Sequence, residues 1–188
     1  MVRIIVAGIV VAGGFLVLRK GKKVSWAAKP IVCVVSVLYC LGLLYYTLLS
    51  RTPSSGNIVN PVPFYTIMRS LRYPLRLNGF VQKILTGRWQ EVFTTLTPIR
   101  TAVLNVLLFM PMGYLMPEWF KGHSVNVWSV LLMSLIISGA IELIQLLTAL
   151  GWCDVDDLIC NLLGSVMGFG IYRIFSKIEH RRKEGMSH

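Results

Sequence analysis

The chain has 188 residues, a mean hydropathy of +0.66 and only 14% charged residues, where soluble domains carry about 25%. That composition places it among integral membrane proteins and leaves no room for a large soluble domain. Its formal charge of +11 gathers in the gaps between apolar runs, as in loops at an anionic lipid surface, and no basic stripe on a soluble domain points to nucleic acid.

A helix crossing a hydrocarbon core of about 30 Å needs roughly 20 apolar residues at about 1.5 Å each. Five stretches meet or approach that length, at residues 4–18, 30–49, 101–116, 125–150 and 158–175. The first is short, and no small-x-small cleavage site follows it. Arg19, Lys20, Lys22 and Lys23 come next, a stop-transfer pattern, so it reads as a retained span and not a signal peptide. The second ends at Arg51. The third is interrupted by Pro111, the fourth only by Glu142 and Gln145. The expected fold is all-α: a single domain over 1–188, a multi-span membrane helical bundle of about five transmembrane helices.

Lysine and arginine near span ends set orientation. Five spans put the cluster after the first span, Lys121 and the tail residues Lys177, Arg181, Arg182 and Lys183 on one side, expected to be cytoplasmic. The N-terminus, the 50–100 loop and the 151–157 turn then lie outside. The loop opposes this by holding Arg51, Arg69, Arg72, Arg76, Lys83, Arg88 and Arg100 against Glu91, but long loops weigh less than tight clusters.

The start of that loop, RTPSSGNIVNPVPF, is rich in Pro, Asn, Ser and Gly and predicts an irregular extended segment. Residues 80–96 instead show a 3.6-residue period. Phe80, Val81, Ile84, Leu85, Trp89, Val92, Phe93 and Leu96 fall on one face, predicting an amphipathic helix. It either lies in the outer membrane interface or caps the bundle as an ordinary surface helix. Cys33, Cys40, Cys153 and Cys160 lack CxxC spacing and read as small buried hydrophobes.

Glu142 and Gln145 share one face of the fourth span, about two turns from its outer end. An ionisable group at this depth costs on the order of 2.5–3.5 kcal/mol, so it faces the protein interior with a partner from elsewhere. Asp154, Asp157 and Asn161 offer themselves from one side of the fifth helix. Asp154 also fits an N-cap, with Asp156 and Asp157 in a first turn where the helix dipole favours negative charge. Gly164 and Gly168 suit close helix packing. Asn105, the amide of the third span, sits toward the same outer face. These residues are expected to converge in one polar pocket at the outer leaflet, closed by loop arginines, of which Arg51 and Arg100 adjoin the spans. Arginine's fork also suits phosphate.

Three segments together resemble the VanZ-like membrane protein family: SRTP…NPVPF at 50–64, NVLLFMPMGYLM at 105–116 and ELIQ…DVDDLICNLLG at 142–164. The resemblance implies a bacterial multi-span protein with a role in resistance to glycopeptide antibiotics such as teicoplanin. It implies no established reaction and no cofactor. The positions matching the family pattern are Arg51, Asn105, Glu142, Gln145, Asp154, Asp157 and Asn161. Many family members carry an arginine about three residues before the first aspartate of the turn; here that position is Gly151, so the salt bridge the resemblance implies there is missing.

Three functional readings are open. A non-catalytic envelope protein would bind an amphiphile, such as a lipid-linked cell-wall precursor or a lipid-tailed glycopeptide, among its membrane lipids. A membrane-embedded enzyme on a lipid-linked substrate would use Glu142 as general base, with Asp154 and Asp157 holding Mg²⁺; it lacks a Ser/His or Cys/His nucleophile pair. An ion-coupled transporter would use Glu142, but five spans show no internal repeat.

Overall fold

A computed structural model describes residues 29–49, 59–65, 68, 77–120, 124–150 and 153–184. The expected span at 4–18 and the cations Arg51, Arg69, Arg72 and Arg76 lie outside the described residues. The described elements are α1 (Lys29–Leu44), continuing as a π-helical turn (Tyr45–Leu49), β1 (Val59–Asn60), α2 (Leu77–Leu85), α3 (Trp89–Thr95), α4 (Thr97–Trp119), α5 (Val127–Leu147), β2 (Cys153–Asp154) and α6 (Val155–Glu184).

Among the described residues, three helices are long and apolar enough to cross a membrane: α4, α5 and the Val155–Ile178 part of α6. At about 1.5 Å per residue each exceeds the hydrocarbon thickness of about 30 Å. The apolar part of α1 and its π-helical turn, Cys33–Leu49, is shorter. The third span is longer than its apolar run, because Pro98 at the helix start needs no donor of its own.

Helix α5 is inside out relative to a soluble helix. Ser134, Ser138, Glu142 and Gln145 are buried, while Trp128, Leu132, Leu135, Ile136, Leu143 and Leu147 are exposed. Burying polar groups and exposing large apolar ones is favourable only where the surrounding solvent is lipid.

Helices α4 and α6 run parallel, in step. A Cβ added to Gly164 would meet the Val106 carbonyl, one on Gly168 the Met110 carbonyl, and one on Gly113 the Ser165 carbonyl. Further along, Tyr114 and Tyr172 pack edge to face at 5.7 Å. Small residues bring the two backbones together. The helix continues through Pro111, and donors gather around it. The Tyr39 hydroxyl donates to the Leu108 carbonyl at 2.8 Å and the Ser165 hydroxyl to the Phe109 carbonyl at 3.4 Å. Tyr39, Leu43, Leu108, Phe109, Met112, Leu115 and Ile141 form the main core.

Several expectations are corrected. The amphipathic stretch is two helices, α2 and α3, because Gly87 takes φ +67° between them, a left-handed conformation that ends a helix. Lys83 and Arg88 both pair with Glu91 at 3.5 Å, the acid of their own loop. The fold is not purely helical. Val59 pairs with Cys153 and Asn60 with Asp154 in a parallel two-residue ladder, so part of the expected irregular segment is strand. Of the cysteines, all free, only Cys160 is buried; Cys33 and Cys40 are exposed on α1.

Candidate functional site: a polar cluster between the last two helices

The cluster grows from the turn joining α5 to α6. Helix α5 ends through Thr148, and Ala149 takes φ 52°, turning the chain back. After three further residues the chain enters β2. There the Asp154 N–H donates to Glu142 Oε2 at 3.1 Å. Glu142, 6% exposed, thus finds its partner in the loop. The Asp154 carboxylate accepts from the Asp156 N–H at 3.0 Å, satisfying one of the orphan donors at the start of α6. It also accepts from Asn60 Nδ2 at 3.2 Å. The Asp156 carboxylate accepts from the Phe64 N–H. The acids therefore strap residues 59–64 of the loop onto the start of α6.

Asp156 is 4% exposed while Asp157 is only half-buried. Of the two expectations for the turn, the N-cap holds: Asp154 stands just before α6 and accepts from the Asp156 N–H, with Asp156 and Asp157 in the first turn, and it does not project from the helix; Asp156 also does the strapping. Phe64 takes φ 60°, a strained value for a bulky side chain. Cys153 lies beside Glu142. Burial pushes its thiol above the ordinary value of 9.0, and the Glu142 charge and hydrogen bond push it further, as do Asp154 and Asp157. It stays protonated at neutral pH.

Deeper in the bundle stand the amides. Gln145 is fully buried, and its Nε2 donates to the Thr47 carbonyl at 2.8 Å. Thr47 lies in the last turn of its helix, where carbonyls lack intrahelical partners. Asn161 Nδ2 donates to Ser138 Oγ at 2.7 Å, joining α6 to α5. Asn105 is buried on α4. Arg100 is exposed in the first turn of α4, away from burial of any kind.

The structure thus brings Glu142 and Asp154 into contact, sets Asp157 within electrostatic reach through Cys153, and ties Gln145 and Asn161 to other helices. Arg51 lies outside the described residues. No three His, Cys, Asp or Glu side chains among the described residues form a metal-holding group. Sequence reasoning missed Asn60, the Phe64 N–H, Ser134, Ser138 and Thr47. The two serines were findable, since Ser134, Ser138 and Glu142 recur every four residues on α5.

Known proteins place these elements in context. Protein VanZ of Enterococcus faecium is 30% identical to this chain over 119 residues, 63% of the chain. The alignment spans 66% of that protein, just under two thirds of its length. No solved structure matches. The family described as VanZ/LLP1 matches residues 36–176. That range takes in α1 from Ser36, the strap, all three long helices up to Ser176 and every polar residue of the cluster; the chain belongs to the VanZ/LLP1 family.

Proposed function

We propose that this is a bacterial cell-envelope membrane protein that supports resistance to glycopeptide antibiotics such as teicoplanin. It does so by holding an amphiphilic or lipid-linked ligand at the polar cluster around Glu142. The carrying observation is the placement of Glu142, Gln145 and Asn161 inside a bundle whose outer face is apolar. Polar groups at membrane depth are costly and mark function by default. The VanZ-like character supplies the link to resistance.

In this reading five spans cross the membrane, with the N-terminus outside and the C-terminus cytoplasmic. Helices α2 and α3 lie in the outer interface. The exposure of Val81, Leu85, Trp89 and Phe93, beside Lys83 and Arg88, supports that placement, since an interfacial helix sinks its apolar face among acyl chains and keeps cations at the headgroups. The strap then closes the outer end of the cluster.

The test is expression of the full chain in a teicoplanin-susceptible Gram-positive host. The minimal inhibitory concentration of teicoplanin rises with the wild-type chain and returns to the host value with Glu142→Leu at equal membrane abundance. An unchanged concentration with the wild-type chain, or full resistance with the variant, overturns the reading. Impermeant maleimide on intact cells labels a cysteine placed at Gln82 and spares one placed at His188 if the orientation is right.

A further inference from the structure

One face of α5 carries Ser134, Ser138, Glu142 and Gln145, spaced four, four and three residues apart, so they stack along about 16 Å of helix. Asn161 of α6 is buried against the same seam, bonded to Ser138. The row begins beneath the strap at Glu142 and is closed at its far end, where Val130, one turn beyond Ser134 and fully buried, packs with Met116 and Phe169. It is therefore a blind polar row reaching about half the membrane's depth.

Its chemistry is one-sided. Ser134 Oγ, Gln145 Oε1 and Asn161 Oδ1 are buried and have no hydrogen-bond partner among the described residues. Ser134 and Gln145 are fully buried and Asn161 is 5% exposed. Each such oxygen costs about 1–3 kcal/mol if left without a donor. No lysine or arginine is buried among the described residues, and Glu142 adds a carboxylate. A phosphate brings only acceptors and negative charge to this row. An ammonium brings donors but has to shed its water, and Glu142 already serves the Asp154 N–H and the Cys153 thiol. Hydroxyl groups bring donors without charge.

We propose that the α5–α6 seam binds the uncharged, hydroxyl-rich head of a lipid, with a sugar as the matching chemistry. The lipid tail lies on the apolar outer surface of α5, where Leu135, Ile136 and Leu143 are exposed beside the buried row. This rests on the amphiphile reading above and narrows its ligand class.

The experiment uses the full chain in phosphatidylcholine nanodiscs, with affinities read by native mass spectrometry. The probes are a diglucosyl diacylglycerol, phosphatidic acid and a primary amine of the same chains, and free maltose. The glycolipid is expected to bind at least about tenfold more tightly than phosphatidic acid, the amine or maltose. Ser134→Ala lowers glycolipid affinity roughly 5- to 100-fold, the worth of one buried hydrogen bond, and Val34→Ala, exposed on α1 and outside the seam, leaves it unchanged. Without glycolipid, Ser134→Ala raises the melting temperature, because a buried hydroxyl with no partner is removed. A lower melting temperature for that variant, or unchanged glycolipid affinity, overturns the proposal. Preference for phosphatidic acid or the amine overturns it while leaving an amphiphile site standing. Equal binding of maltose removes the lipid from it, and binding of no probe ends both readings.

Discussion

Helix α6 meets two neighbours in opposite ways. Against α4 it is dry and close, with Gly113, Gly164 and Gly168 letting backbone touch backbone. Against α5 it is polar, with Asn161 bonded to Ser138 and the strap acids bonded to Glu142 and to the loop. In lipid no hydrophobic force distinguishes helix from helix, so close van der Waals packing and interhelical hydrogen bonds divide the work of association. The first interface has one arrangement only, since any shift brings main-chain atoms into collision. The second depends on bonds that a ligand's own groups can replace. Rigidity thus belongs to the α4–α6 pair, and the exchangeable polar bonds to the α5–α6 contact.

The largest effect expected is at the rigid seam. Gly168→Leu drives a side chain into the Met110 carbonyl, which is backbone and cannot rotate away. Overpacking of this kind costs about 3 kcal/mol or more. The expected result is loss of the monodisperse peak in size-exclusion chromatography. A variant that elutes and melts like the wild type shows that α4 and α6 do not pack as described, and the comparison fails at its root.

Next comes Glu142→Leu in the polar seam. It removes the acceptor of the Asp154 N–H and leaves a buried donor, a loss of about 1–3 kcal/mol. It also frees the strap, because Asp154 is the shared partner of Asn60 and of the first turn of α6. The protein is expected to fold, melt lower and show faster amide exchange at residues 59–64. Glu142→Gln keeps an acceptor oxygen and is expected to recover most of the stability. A fall as deep as that of Gly168→Leu erases the distinction between the two seams.

How much of this was legible follows the same division. The long apolar runs gave α4, α5 and most of α6, because period and length suffice for a span. Glu142, Gln145 and Asn161 stood out because charge and amides are costly in lipid. The partners did not. The acceptors of Glu142 and Asp156 are satisfied by main-chain N–H groups of Asp154 and Phe64, and a backbone donor leaves no mark on a residue's identity. The strand pair of Val59 and Asn60 with Cys153 and Asp154 is two residues long, too short for any alternation to register. The break at Gly87 lay inside an unbroken apolar period. Helical periodicity there reports which face is apolar, not whether the backbone is continuous.

A smaller effect sharpens the chemistry at the mouth of the polar seam. Cys153 is half-buried beside Glu142, and its thiol is held above the ordinary value of 9.0 by burial first and by Glu142 second. The thiolate is the reactive form, so alkylation of Cys153 is slow at pH 8 and its rate keeps climbing above pH 9. Glu142→Gln removes one negative neighbour and favours the thiolate, and labelling at pH 8 is expected to speed up a few-fold. Since burial is the larger cause, the rate stays below that of a free thiol. Iodoacetamide labelling followed by peptide mass spectrometry separates Cys153 from Cys33, Cys40 and Cys160. No change in rate with Glu142→Gln places the carboxylate away from the thiol.

The smallest effect lies where neither seam is touched. Ala149 takes φ 52° just past the end of α5, and its N–H donates to the Leu146 carbonyl while that of Leu150 reaches the Gln145 carbonyl. A residue with a Cβ is strained in this left-handed conformation by about 1 kcal/mol, and glycine is not. Ala149→Gly is therefore expected to stabilise the protein by about 0.5–1 kcal/mol, somewhat offset by the greater freedom glycine gives the unfolded chain. Thermal melting in detergent checks it. Because position 149 shares no bond with Ser138 or Asn161, its gain is expected to add to the loss from Asn161→Ala within about 0.5 kcal/mol. Non-additivity would instead mean that the turn at 149 and the α5–α6 contact move as one unit. Helix α5 would then be fixed by its own C-terminal turn as much as by the polar groups on its face.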